Sequence, residues 1–84
     1  MKYTYTTNGT CARSIVLDVD DGKLKEVSFV GGCNGNLKGI AALCKDMDID
    51  DIIAKLEGIK CGFKNTSCPD QLANALKSYK SGNL

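Results

Sequence analysis

Five cysteines stand in 84 residues, and four of them are placed where they could do chemistry. Cys11, Cys33, Cys61 and Cys68 fall at turns or at the ends of regular segments, whereas Cys44 falls at an apolar position of a helical pattern and reads as core. A thiolate is a nucleophile, a redox centre and a soft metal ligand. Cys33 and Cys68 sit at or just before helix starts, where the positive end of the helix dipole lowers a thiol pKa below its usual value of about 8.5. Several such thiolates bind Zn²⁺ tetrahedrally or hold an iron–sulfur cluster. The spacing carries neither site openly: structural zinc sites show closely paired cysteines, and the nearest pair here is Cys61-x6-Cys68. No C-x-x-C marks a redox dithiol, which leaves a pair remote in sequence, such as Cys33 with Cys68.

A second chemistry is open at 31–36, Gly-Gly-Cys-Asn-Gly-Asn. Gly31, Gly32 and Gly35 let backbone N–H groups turn toward an anion, a helix N-terminus follows, and Asn34 and Asn36 add side-chain donors. Arg13 is the only arginine in the chain. Strand alternation puts it on one face with Cys11, Ile15 and Leu17, where a charge is costly without a partner and where a guanidinium fork suits phosphate or carboxylate. Phosphate or nucleotide binding by Arg13, Gly31, Gly32, Asn34, Gly35 and Asn36 is therefore a reasonable expectation, although the segment matches neither G-x4-G-K-[ST] nor G-x-G-x-x-G. Structural readings stand beside both chemistries. The glycines turn the chain from strand to helix, Arg13 pairs with an acid such as Asp70, and the cysteines fill the core. Asp46, Asp48, Asp50 and Asp51 read as helix capping and a solvated face, because a calcium loop needs a turn glycine and a distal Glu. Tyr3 and Tyr5 read as sheet packing.

Composition narrows the function classes. At 43% hydrophobic and 25% charged the chain is an ordinary globular sequence. Its length makes one thin-cored domain over residues 1–84 and excludes a catalytic barrel or a doubly wound nucleotide fold. Eleven basic against ten acidic residues, a net charge of +1, speak against nucleic acid as partner. The absence of histidine removes Ser-His, Cys-His and HExxH sites. The polar opening carries no signal-peptide pattern and no segment is long and apolar enough for a membrane span, so a cytoplasmic location with reduced thiols is expected.

The elements that must position these residues follow from periodicity. Residues 2–7 and 10–19 read as strands joined at Asn8-Gly9, and 23–30 as a third strand after Asp20-Asp21-Gly22. Ala12, Ser14, Val16 and Asp18 are placed on the solvent face of the second strand. A helix is expected from about Leu37 to Lys45 with Asn36 as N-cap. Another begins at Asp48 or Asp50 and stops at Gly58, and a third begins with Cys68 as N-cap and Pro69 at the first helical position. The fold class expected is α+β: a three-stranded antiparallel meander followed by three helices on one face, in two layers. Its open sheet edges make a homodimer expected.

Thr66-Ser67-Cys68-Pro69-Asp70 spells the motif that names the TSCPD domain family. Thr10-Cys11-Ala12-Arg13, Val27-Ser28-Phe29, the segment 31–36, Leu56-Glu57-Gly58-Ile59, Cys61-Gly62 and Gln71-Leu72-Ala73 resemble its short stand-alone branch over nearly the whole chain. A related domain lies toward the C-terminus of vitamin B12-dependent ribonucleotide reductases. The resemblance therefore implies a link to ribonucleotide reduction, with a ribonucleotide reductase as possible partner. Cys11, Cys33, Cys61, Cys68, Arg13 and the glycine segment belong to the branch's motifs, and Cys44 does not. The chain has no room for the radical-bearing barrel, no cobalamin site and no paired C-x-x-C tail. An accessory, regulatory or nucleotide-binding module fits it better than a complete reductase. The rival readings are a thiolate module holding Zn or Fe–S, and a non-catalytic protein-interaction domain. All rest on one spatial expectation: the start of the middle strand meets the two turns that launch helices.

Overall fold

A computed structural model of the chain describes residues 2–10, 12–32 and 34–83, with the backbone alone at Asn34. Cys11 and Cys33 lie outside the described residues. The chain runs β1 (Lys2–Thr6), β2 (Ala12–Asp20), β3 (Lys23–Gly31), α1 (Asn34–Cys44), β4 (Met47–Asp48), α2 (Ile49–Leu56) and α3 (Cys68–Lys80). The strands form one antiparallel sheet in the order β1-β2-β3-β4.

Period-2 alternation sets the register. Tyr3 and Tyr5 oppose Leu17 and Ile15, which oppose Val27 and Phe29 in turn, so one face is an apolar row. The other face carries Thr4, Val16 and Ser28 in one row and Thr6, Ser14 and Val30 in the next. The β2–β3 hairpin closes because Asp21 (φ 53°) and Gly22 (φ 74°) both adopt the left-handed backbone that a two-residue turn requires. Ile15, Leu17, Val19, Leu24 and Val27 then meet Cys44 of α1, Ile49 and Ile52 of α2, and Leu72, Ala75 and Leu76 of α3 in a single core. All three helices thus contribute to one face of the sheet.

Three boundaries differ from expectation, each for a local reason. The sheet has four strands, because after α1 Asp46 takes a left-handed φ of 65° and turns Met47 and Asp48 back along β3. Asp46 N–H donates to Leu24 C=O (2.7 Å) and Ile49 N–H to Gly22 C=O (3.0 Å) on either side of that pairing. A two-residue strand has no periodicity to read. Helix α1 starts at Asn34, so Asn34, Gly35 and Asn36 form its first turn and Asn36 is not its cap. Helix α2 starts at Ile49 with Asp48 in the N-cap position, one of the two starts expected, although the Asp48 side chain makes no capping bond. Asp50 and Asp51 serve the dipole of its first turn instead. The N-cap of α3 is Ser67 and not Cys68. A hydroxyl oxygen accepts a backbone N–H well and a thiol poorly, so the cap moves one residue toward the better acceptor and Cys68 becomes the first helical residue.

Candidate functional site

The segment 66–71 is a hydrogen-bonded hub. Ser67 Oγ accepts the Asp70 N–H (3.1 Å) and donates to Ile59 C=O (2.7 Å). The Asp70 carboxylate accepts the Gly58 N–H (2.6 Å) and the Thr66 hydroxyl (2.5 Å). Gln71 donates through Nε2 to Thr66 Oγ1 (2.9 Å), while its Oε1 accepts the Asn8 N–H (3.1 Å). These bonds tie the end of α2, the β1–β2 turn and the start of α3 into one corner. The Thr66 hydroxyl holds the Asp70 carboxyl below the usual carboxylate range, helped by the Gly58 N–H and the charge of Lys77 and opposed by burial.

Two of the candidate thiols face each other's surroundings at this corner. The chain between Gly58 and Thr66 closes as a tight turn, with Lys64 N–H donating to Cys61 C=O (3.0 Å) and Cys61 N–H to Thr66 C=O (3.2 Å). Gly62 at φ 59° supplies the left-handed residue that this turn needs. Cys61 is exposed, Cys68 half-buried, and both are free thiols. Together with Thr10, Lys64 and Ser67 they border a cavity of about 30 Å³. A wider cleft of about 460 Å³ adjoins it, where Leu37, Ile40, Ile59 and Pro69 form apolar walls and Asn36 and Lys60 add polar groups beside the same two cysteines. Among the described residues no group of three or more Cys, Asp or Glu is set to hold a metal ion.

The description TSCPD domain matches residues 1–80. This chain belongs to the TSCPD domain family. No curated protein and no solved structure matches it. Within this TSCPD domain the motif residues Thr66, Ser67 and Asp70 build the corner, and Pro69 walls the cleft beside it.

The remaining candidates divide. Cys11 and Cys33 lie outside the described residues, but the chain beside each is described. Thr10 borders the small cavity, Ala12 pairs with Gly31 at the end of the sheet, and Asn36 borders the wider cleft. Gly31 (φ 83°) and Gly32 (φ 84°) are both left-handed. A Cβ on Gly32 would stand 2.9 Å from Leu37 Cδ1 and 3.2 Å from the Ala12 nitrogen, so this glycine lets the β3–α1 turn press against β2. The first-turn N–H groups of α1, at Asn34, Gly35 and Asn36, have no intrahelical partners. Arg13 is exposed and Ala12 is 3% exposed, the reverse of both expectations. The β2–β3 register slips between Ala12 and Ser14, and this bulge interrupts the alternation that had put Arg13 inside. Arg13 makes no ion pair with Asp70 among the described residues, because the Asp70 oxygens are taken by Thr66 and Gly58. Cys44 is core as expected, and burial pushes its thiol pKa up. Sequence reasoning missed Thr10, Ile59, Lys60 and Lys64. The lysines on both sides of Cys61 were the available signal. No helix among the described residues is long and apolar enough to cross a membrane.

Proposed function

We propose that this TSCPD domain is a metal-binding accessory module in which Cys11, Cys33, Cys61 and Cys68 are the thiolate ligands of one zinc ion. The observation that carries the reading is the small cavity bordered jointly by Cys61 and Cys68, with Thr10, the residue before Cys11, on its rim. At about 30 Å³ it has room for one ion and none for an organic ligand. The donor chemistry agrees. The chain has no histidine, and the nearby Asp70 carboxylate is already bonded twice. Thiolates are therefore the soft ligands left. Cys68 opens α3 directly after the Ser67 cap, which fixes its backbone beside the cavity. A zinc ion bound by four thiolates is a closed structural site, worth folding energy and not turnover. The family resemblance supports work beside a ribonucleotide reductase, not reduction by this chain alone.

Elemental analysis of protein purified without a tag tests this. The expected result is one zinc per chain, falling below a tenth of an equivalent in Cys61→Ser and in Cys68→Ser. Less than a tenth of an equivalent of zinc or iron in the parent ends the reading.

A second reading, a nucleotide or phosphate module, draws on the wider cleft. Lys60 and Asn36 border about 460 Å³ of space beside the N-terminal ends of α3 and α1, enough for part of a nucleotide. Arg13 and Gly31 do not border that cleft, so Lys60 replaces them as the expected anion contact. Calorimetric titration with nucleoside di- and triphosphates decides it. Heat that disappears in Lys60→Ala supports the reading. No heat at millimolar ligand, with Arg13→Ala indistinguishable from the parent, removes it.

A further inference from the structure

Helix α1 packs chiefly on β3, while α2 packs on α3. The helical side of the molecule is therefore split, and the split is apolar. A cavity of about 390 Å³ opens among Ile40, Leu43, Met47, Ile52 and Leu56. The 460 Å³ cleft continues from it through Leu37, Ile59 and Pro69. Ile40 borders both, so they form one trough with α1 as one wall and α2 and the chain entering α3 as the other. The trough is not a sealed core: Leu43 is 78% exposed and Ile59 41%. An open apolar channel of this kind on a small domain marks a contact surface.

Its charges select the partner. Among the described residues the charged side chains bordering the trough are Lys55 and Lys60. Three lysines elsewhere on the surface are paired, Lys25 with Asp46, Lys77 with Glu57 and Lys80 with Asp50, whereas Lys55 and Lys60 form no ion pair among the described residues. We propose that the trough docks an acidic amphipathic helix of a partner chain. A helix fits better than a strand because the walls offer apolar side chains at Leu37, Ile40, Leu43 and Cys44. From Leu37 these stand at i, i+3, i+6 and i+7, one face of α1 against which a helical ridge packs. An extended peptide would bury its backbone N–H and C=O groups there without partners, while a helix satisfies its own. The eleven residues of α1 set the length at about 16 Å, or three turns of the incoming helix. A second copy supplies no such helix: α2, which carries Asp50 and Asp51, already buries Ile49 and Ile52 in its own core.

The probe is a fluorescein-labelled 14-residue peptide with Leu at i, i+3, i+4 and i+7 spacing and Glu at the other positions. A scrambled peptide of the same composition serves as control, and binding is read by anisotropy. The patterned peptide is expected to bind at least tenfold more tightly than the scrambled one. The exposed Leu43→Glu variant is expected to weaken it at least tenfold with an unchanged circular dichroism spectrum. The Lys55→Glu, Lys60→Glu pair is expected to weaken it at least fivefold and to create binding for the same pattern built with Lys. Equal binding of scrambled and patterned peptides, or indifference to Leu43→Glu, overturns the proposal. So does a concentration-dependent dimer of the free protein that Leu43→Glu abolishes in sedimentation, because the occupant is then a second copy. Zinc measured in the Leu43→Glu variant stays at the parental level, so failure of this docking surface and failure of the thiolate site are read separately.

Discussion

At the scale of single residues, Ser67 and Asp70 carry more of the corner than the thiol between them. Ser67 caps α3 and also holds Ile59, so its hydroxyl is bonded twice. Asp70 spans from α3 to the end of α2 and to Thr66. Its depressed pKa means that the carboxylate, and not the acid, stabilises the fold. That contribution is complete above the unfolded value near 3.8 and is lost as pH falls through the lower folded value. Urea unfolding of the parent and Asp70→Asn should differ by about 1 kcal/mol at neutral pH, a modest figure because the group is only half-buried and partly screened by solvent. The difference should stay level down to about pH 5 and then shrink on further acidification. A difference that does not change with acid would mean that the carboxylate's charge is not what the corner uses.

At the scale of elements, two glycines and one bulge decide what the hairpins present. Alternation reads β2 correctly from Ile15 to Val19, with Ile15, Leu17 and Val19 buried as expected. It misassigns Ala12 and Arg13, because the slip between Ala12 and Ser14 depends on how β3 pairs there, which lies sixteen or more residues away along the chain. The β3–α1 turn is a related case. Its glycines were legible as a change from strand to helix, but the need for Gly32 in particular comes from Ala12 and Leu37 closing over it. Gly32→Ala combines a strained φ with a Cβ set against backbone, and is expected to cost on the order of 2–3 kcal/mol in chemical unfolding. Gly22→Ala at the hairpin tip also carries a left-handed φ but meets nothing within 4 Å. It should therefore cost less, roughly 1 kcal/mol. Equal losses at the two sites would contradict close packing as the role of Gly32.

At the scale of the whole molecule, the corner joins parts that are remote in sequence: the turn at Asn8, the end of α2 at Gly58, the loop at Cys61 and the start of α3. A zinc ion bound there would restrain all of them at once. In a domain of 84 residues with a thin core that restraint is a large share of the stability. Removal of metal by a strong chelator should lower the melting temperature by about 10 °C or more and expose Cys61 and Cys68 to alkylation, while Cys44 stays protected in the core. Unchanged melting and unchanged alkylation after chelation would leave the corner held by its hydrogen bonds alone.

The amino-acid sequence alone determined the α+β class, the three long strands, the approximate helices and the family. Each of these is written in local periodicity, turn residues or contiguous motifs. It also separated Cys44 from the other cysteines, because an apolar position within a helical stripe is a local property. The placing of Cys61 and Cys68 on one cavity, the turning of Arg13 to solvent, the short fourth strand and the trough beside α1 were settled by tertiary structure. Each depends on which distant segment packs against which, and that is decided by the total burial and hydrogen bonding of the whole chain, not by any window of it.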